Sequence, residues 1–202
     1  DCPKSNQVVF EQAGLEEPIR AKLQKPTGPL TKADLKQLKS ANFSSVKLDQ
    51  LDICLFSQMS GIKELFLGPG DYDDLSPIAT STQLTSLRAS MSHVRNLAPL
   101  EKMTKLDRLD LGRTEVADLS PLSGLVELTE LLLDNTPVED VAPLAKLVKL
   151  ERLSIKQTRI KDVSGLKGLK KLKFVYVAGS PVENEPTSLA AVRANGTQVL
   201  TE

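Results

Sequence analysis

Apolar residues recur along the chain in one figure, Lxx-L-x-L. It occurs at Ile62-Leu65-Leu67, Leu84-Leu87-Ala89, Leu106-Leu109-Leu111, Leu128-Leu131-Leu133, Leu150-Leu153-Ile155 and Leu172-Val175-Val177. The starts step by 22 residues, and a variant copy, Leu38-Ala41-Phe43, begins 24 residues before Ile62. Further columns keep the same phase. Tyr72, Val94, Val116, Val138, Ile160 and Val182 form one; Leu75, Leu97, Leu119, Val141 and Val163 form another; Ile78, Leu100, Leu122, Leu144 and Leu166 form a third. So many columns held in register predict a solenoid, because one coil cannot bury its own leucines and a stack of coils can.

Successive side chains of an extended chain point to opposite faces. Each Lxx-L-x-L segment therefore predicts a short strand with its leucines inward, paired in a parallel sheet. The "DLSPL"-type segments then make the return on the opposite face. Asp74, Asn96, Asp118, Asp140 and Asp162 offer a side-chain acceptor to turn amides at each coil. Ser76, Ser120 and Ser164 precede a proline or glycine and are placed to start a helical turn.

The segments "LDRLDLGRTEVADLSPLSGL" (106–125) and "LTELLLDNTPVEDVAPLAKL" (128–147) resemble leucine-rich repeats of the 22-residue, bacterial internalin-like class, whose pattern is LxxLxLxxNxIxDLxxLxxL. The resemblance implies an α/β solenoid: a right-handed superhelix with a parallel concave β-sheet, short helical or 3-10 convex turns and a helical N-terminal cap. The chain departs from the family at its asparagine column, held here by Gly70, Ser92, Thr114, Thr136, Thr158 and Ser180. That asparagine bonds backbone groups of adjacent coils in the family, and a threonine hydroxyl is expected to do part of the same work.

Three parts of one cooperative domain are expected: an N-terminal helical cap over 1–37, a solenoid of about seven coils over 38–182, and a C-terminal cap over 183–202. In the first, Gly14 and Pro18 interrupt a near-helical apolar spacing, and Thr31 with Asp34 reads as a capping box. In the last, "EPTSLAAVRANG" reads as a short helix ending before Gly196, with "TQVL" available as a final strand.

Lysine plus arginine equals aspartate plus glutamate at 26 each, so a nucleic-acid partner is not expected. Aromatic residues are only 3% and tryptophan is absent, which predicts an aliphatic core. No apolar run is long enough to span a membrane. The chain starts at Asp1 without Met or an apolar leader, as a mature or trimmed form would, and Asp1 ahead of Cys2 disfavours a lipid anchor. Cys2 and Cys54 leave two readings open: separate thiols, or a disulfide tying the N-terminus to the body in an oxidising compartment.

No catalytic set, metal-ligating set or cofactor motif emerges. His93, the only histidine, falls at a variable turn position. "GPGDYDD" (68–74) lacks a phosphate-loop lysine and EF-hand spacing, leaving Asp71 and Asp73 to a weak calcium site or a solvated turn. The lysine-rich "LKGLKKLKF" (166–174) reads as the outer face of the last coil.

The informative surface is the concave sheet face, with two outward columns. One runs Glu64, Ser86, Arg108, Glu130, Arg152, Phe174; the other runs Phe66, Arg88, Asp110, Leu132, Ser154, Tyr176. Arg108, Glu130 and Arg152 alternate in sign and are expected to pair, as are Arg88 and Asp110. Phe66, Leu132, Phe174 and Tyr176 stand outward in a chain poor in aromatics, among Arg88, Arg152 and Lys156. Aromatic and arginine residues together favour interface hot spots. The candidate binding set is therefore Phe66, Arg88, Arg108, Asp110, Glu130, Leu132, Arg152, Lys156, Phe174 and Tyr176.

The resemblance implies a non-enzymatic domain that recognises a protein or peptide on this face, in a secreted, periplasmic or cell-surface bacterial protein. The alternative is an intracellular scaffold similar to eukaryotic 22-residue-repeat proteins that hold a phosphatase. A monomer is expected, with self-association or docking of the terminal cap as the competing use of the outward apolar residues.

Overall fold

The computed structural model describes residues 2–202; Asp1, with the expectation attached to it, lies outside them. Each repeat supplies a three-residue strand whose middle residue is the second leucine of the figure. The strands are β1 (Ser40–Asn42), β2 (Glu64–Phe66), β3 (Ser86–Arg88), β4 (Arg108–Asp110), β5 (Glu130–Leu132), β6 (Arg152–Ser154), β7 (Phe174–Tyr176) and β8 (Gln198–Leu200). They form one parallel sheet in sequence order, the arrangement of a leucine-rich repeat solenoid. Register follows the 22-residue step, with Leu65, Leu87, Leu109, Leu131, Leu153 and Val175 as successive Cα partners, all buried.

The return face consists of 3-10 turns at Ser76–Ile78, Ala98–Leu100, Ser120–Leu122, Ala142–Lys146 and Ser164–Gly168. Their caps differ from expectation. The hydroxyls of Ser76, Ser120 and Ser164 cap nothing, because each serine is already the first residue of its turn and the preceding residue is a buried core side chain. The acceptor comes from one position earlier still. Asp74, Asn96, Asp118, Asp140 and Asp162 accept the amides of Ser76, Ala98, Ser120, Ala142 and Ser164 at 2.7–3.0 Å.

The asparagine column also works differently from the family pattern. Ser92, Thr114, Thr136 and Thr158 each donate to the carbonyl three residues back in their own coil, at 2.6–3.0 Å. A hydroxyl stands one bond nearer the backbone than an amide group, so it reaches its own coil and not the next. Among the described residues, hydroxyls of this column join coils only at its end, where Thr158 N–H donates to the Ser180 hydroxyl at 2.9 Å and Ser180 Oγ donates to Ile155 O at 2.5 Å.

Immediately before this column stands a ladder with no counterpart in the apolar pattern. Met91, Arg113, Asn135, Gln157 and Gly179 all adopt left-handed backbone, with φ of +58°, +57°, +57°, +56° and +70°. At Met91, Arg113, Asn135 and Gln157 that conformation lets the amide reach the next coil, as Met91 N–H does to Gly112 O at 2.9 Å, whereas Pro69 holds the same position one coil earlier and the Gly179 amide turns to Glu183. Only asparagine and glycine adopt it readily.

The N-terminal cap contains α1 (Glu16–Leu23) and α2 (Lys32–Gln37). Pro18 lies in the first turn of α1, where its missing N–H costs no helical bond. Thr31 and Asp34 form the expected capping box: Asp34 N–H donates to Thr31 Oγ1 at 3.2 Å and Thr31 N–H to Asp34 Oδ2 at 2.7 Å. The longer first coil makes room for a one-turn helix, α3 (Ile53–Phe56), and a disulfide joins Cys54 on it to Cys2. The expected aliphatic core holds beyond this end. Here Phe43 and Phe56 pack edge to face at 5.9 Å and Tyr72 fills a place that later coils give to Val or Ile. At the other end α4 (Pro186–Arg193) precedes Gly196 and β8, as expected.

Candidate functional site

The sheet's register carries the outward residues with it. Ser86, Arg108, Glu130, Arg152 and Phe174 face one another as Cα partners across β3 to β7, and so do Arg88, Asp110, Leu132, Ser154 and Tyr176. Neighbours in each column are thus about 4.8 Å apart. β8 extends both columns with Gln198 and Leu200, so Leu200 adjoins Tyr176. Its signal in the sequence was the apolar residue of "TQVL" placed 24 positions after Tyr176, outside the 22-residue step.

The charges pair in part as expected. Arg88 Nε lies 3.2 Å from Asp110 Oδ2, and Arg152 Nε lies 3.5 Å from Glu130 Oε2. Arg108 does not join Glu130. Its ion contact is Asp107 Oδ2 at 3.8 Å, on the strand edge, because Glu130 leans towards Arg152. Ser154, expected outward, is only 3% exposed. Its short side chain turns to Asp134 Oδ1 at 2.5 Å and is covered by its longer neighbours.

All four outward apolar residues are half-buried, and cationic head groups lie over the three aromatic ones. The Arg88 guanidinium lies 5.7 Å from the centre of the Phe66 ring. The Arg152 guanidinium lies 5.7 Å from Phe174 and 6.0 Å from Tyr176, and Lys156 Nζ lies 5.6 Å from Tyr176. Such contacts contribute about 0.5–1 kcal/mol each at exposed sites. Glu130, Arg152, Phe174 and Tyr176 thereby form one connected group, with Lys156 also donating to Glu202 O at 3.0 Å.

The other candidates have structural explanations. Gly68 and Gly70 of "GPGDYDD" are set by close approach of the preceding coil. A Cβ at Gly68 would stand 1.9 Å from Val46 O, and one at Gly70 would stand 1.7 Å from Leu48 O. Of the two readings left to Asp71, the solvated turn fits the geometry: Lys47 Nζ lies 2.9 Å from its carboxylate, and no group of three or more ligating side chains converges among the described residues. His93 belongs to the same line of charges. Its Nδ1 is 2.7 Å from Glu115 and its Nε2 is 3.8 Å from Asp71. The hydrogen bond from Lys47 lowers the Asp71 pKa, and that from His93 lowers the Glu115 pKa. In the lysine-rich segment, Lys173 pairs with Glu151 at 2.7 Å and Lys170 donates to Asn195 at 2.5 Å.

No protein-family profile matches the chain, and no curated protein is significantly similar to it in sequence. Solved structures share its fold. An internalin (inlF) from Listeria monocytogenes superposes with a TM-score of 0.67 at 25% identity, over 87% of this chain and 60% of that one. Internalin C2 (inlC2) from the same species gives 0.67 at 21% identity, over 91% of this chain and 95% of that one. A leucine-rich repeat protein from Leptospira interrogans gives 0.70 at 17% identity, over 82% and 49%. The chain thus spans less than two thirds of two of these three proteins. Their shared architecture is that of the chain described above.

Proposed function

For a chain with this internalin-like leucine-rich repeat fold, we propose a non-enzymatic recognition domain that binds a protein or peptide across its concave sheet. The observation that carries the reading is the group formed by Arg152, Phe174 and Tyr176, with Glu130 holding Arg152 from the other side. Aromatic and arginine side chains are already stacked on β6 and β7, strands paired on both sides. A partner that docks there loses little entropy to ordering this surface, and preorganisation of that kind raises affinity. Leu132, two strands away, adds a half-buried apolar contact.

Eight strands at about 4.8 Å spacing span about 34 Å, which suits one compact partner better than a long wrapped segment. The Cys2–Cys54 disulfide supports an oxidising compartment, hence a secreted, periplasmic or surface setting, over the intracellular scaffold reading. No helix among the described residues is long and apolar enough to cross a membrane.

The test uses a displayed library of random peptides selected on the immobilised protein. Peptides that use the concave face lose binding to Tyr176→Ala and Leu132→Glu while both variants keep the parent melting temperature. Selected peptides that bind both variants as well as the parent would sink the proposal.

A further inference from the structure

Between β2 and β5 the concave face is not flat. Ser86 is the smallest outward residue of this stretch, and over it lies a depression of about 150 Å³ bordered by Phe66, Arg88, Arg108, Asp110, Glu130 and Leu132. That is room for about five waters at their liquid volume of about 30 Å³. It is too small for a drug-sized ligand, whose sites run from about 300 Å³ upward. It suits one side chain.

The charges around it are unequally occupied. Asp110 is engaged by Arg88 at 3.2 Å and by the Gly112 amide at 3.0 Å. Glu130 is drawn to Arg152, which is itself stacked on Phe174 and Tyr176. Arg88 is held by Asp110 and lies over Phe66. Arg108 alone has no acidic partner on the face. Its one carboxylate contact, Asp107, stands 3.8 Å away on the strand edge and also accepts the Thr129 hydroxyl at 2.5 Å. The Arg108 side chain is 67% exposed, so its planar fork of N–H donors is free to turn into the notch. Phe66 and Leu132 would flank a group bound there and strengthen its ion pair by displacing water.

We infer that this notch receives the carboxylate of an aspartate or glutamate side chain from the protein partner, with Arg108 as its donor. The inference rests on the concave-face reading and narrows the partner to one presenting an acidic residue beside apolar ones. Glu130 acts as the gate on Arg108's availability. While Arg152 holds Glu130, Arg108 is left for the incoming acid.

The same library selection tests it, with selected peptides remade as soluble synthetic probes. Their sequences should hold an Asp or Glu next to apolar residues. Changing that acid to its amide, or Arg108→Gln in the protein, should each weaken binding about tenfold or more, and the two losses should not add, because they remove one contact. Ser86→Leu, which fills the notch, should weaken binding similarly, with melting temperatures confirming that both variants fold. Peptides lost on Tyr176→Ala but indifferent to Arg108→Gln and to the acid-to-amide change would overturn the notch and leave the concave face standing. Peptides indifferent to Tyr176→Ala and Leu132→Glu as well, or a selection that enriches no peptide, would overturn both.

Discussion

Leu131 and Leu132 are adjacent in β5 and live in different solvents. Leu131 is wholly buried among the rungs of the core, whereas Leu132 faces out beside Asp110 and Ser154. Leu131→Ala is expected to destabilise the protein by about 2–5 kcal/mol, since it removes buried methyl groups and leaves a cavity between coils. Leu132→Glu should leave the denaturation midpoint nearly unchanged. Chemical denaturation of the two variants checks the assignment of faces, and equal losses would refute it.

Met91 holds a place in the left-handed ladder at φ +58° without the tolerance of asparagine or glycine, and the residue is 44% exposed. Replacement therefore forfeits little packing. Met91→Asn or Met91→Gly should raise stability by up to about 1 kcal/mol, because the left-handed region costs an ordinary side chain about 1–2 kcal/mol. Met91→Val should lower it, as a β-branched residue fits that region worst. A thermal melt of the three variants should rank them in that order.

Tyr72 is 2% exposed, and its hydroxyl finds no hydrogen-bond partner among the described residues. Ser92, beside it, gives its own proton to Ala89 O at 3.0 Å. A buried polar group left unpaired costs about 1–3 kcal/mol, so Tyr72→Phe should stabilise the fold. Burial also pushes the Tyr72 phenol up to about 12 from 10.0. The folded state therefore keeps the proton that the unfolded chain gives up near pH 10. This contribution to stability is complete below pH 10 and falls away as the pH rises towards 12. Denaturation midpoints across that range should show a smaller alkaline loss for Tyr72→Phe than for the parent.

Asp34 behaves in the opposite sense. The hydrogen bond from Lys25, then those from Thr31, lower its pKa from 3.8 to about 2. Protonation therefore favours the unfolded chain. The stabilisation is complete above about pH 4 and is lost as the pH falls through 2. Asp34→Asn should remove this part of the acid sensitivity and weaken the capping box of α2 at neutral pH, by about 1 kcal/mol on the scale of helix caps. Urea midpoints at pH 7 and pH 2.5 separate the two effects.

Much of the solenoid was legible in the residues alone. Leu65, Leu87, Leu109, Leu131 and Leu153 repeat at one step and alternate with positions that are mostly polar. Strand, facing and register follow from chain geometry that every coil repeats. Asp74, Asp118 and Asp162 announced the turn caps for the same reason, since an acceptor two residues from an amide is a local relationship. The outward columns of the candidate site came with the register.

What the tertiary structure decided depends on neighbours from more than one coil. Arg108 and Glu130 have opposite charges at the right spacing, yet Glu130 goes to Arg152, because the aromatic rings of Phe174 and Tyr176 fix that guanidinium within reach. Ser154 sinks because Asp134 waits for its hydroxyl. Gly68 and Gly70, which resembled a ligand loop, answer to carbonyls of an earlier coil. The left-handed ladder runs through Met, Arg and Gln, whose identities carry no sign of it, because the demand comes from stacking the turns. Periodicity records what each coil needs for itself. Pairing, strain and vacancy on the concave face are settled only where three coils meet, and it is there that Arg108 is left with an open notch beside it.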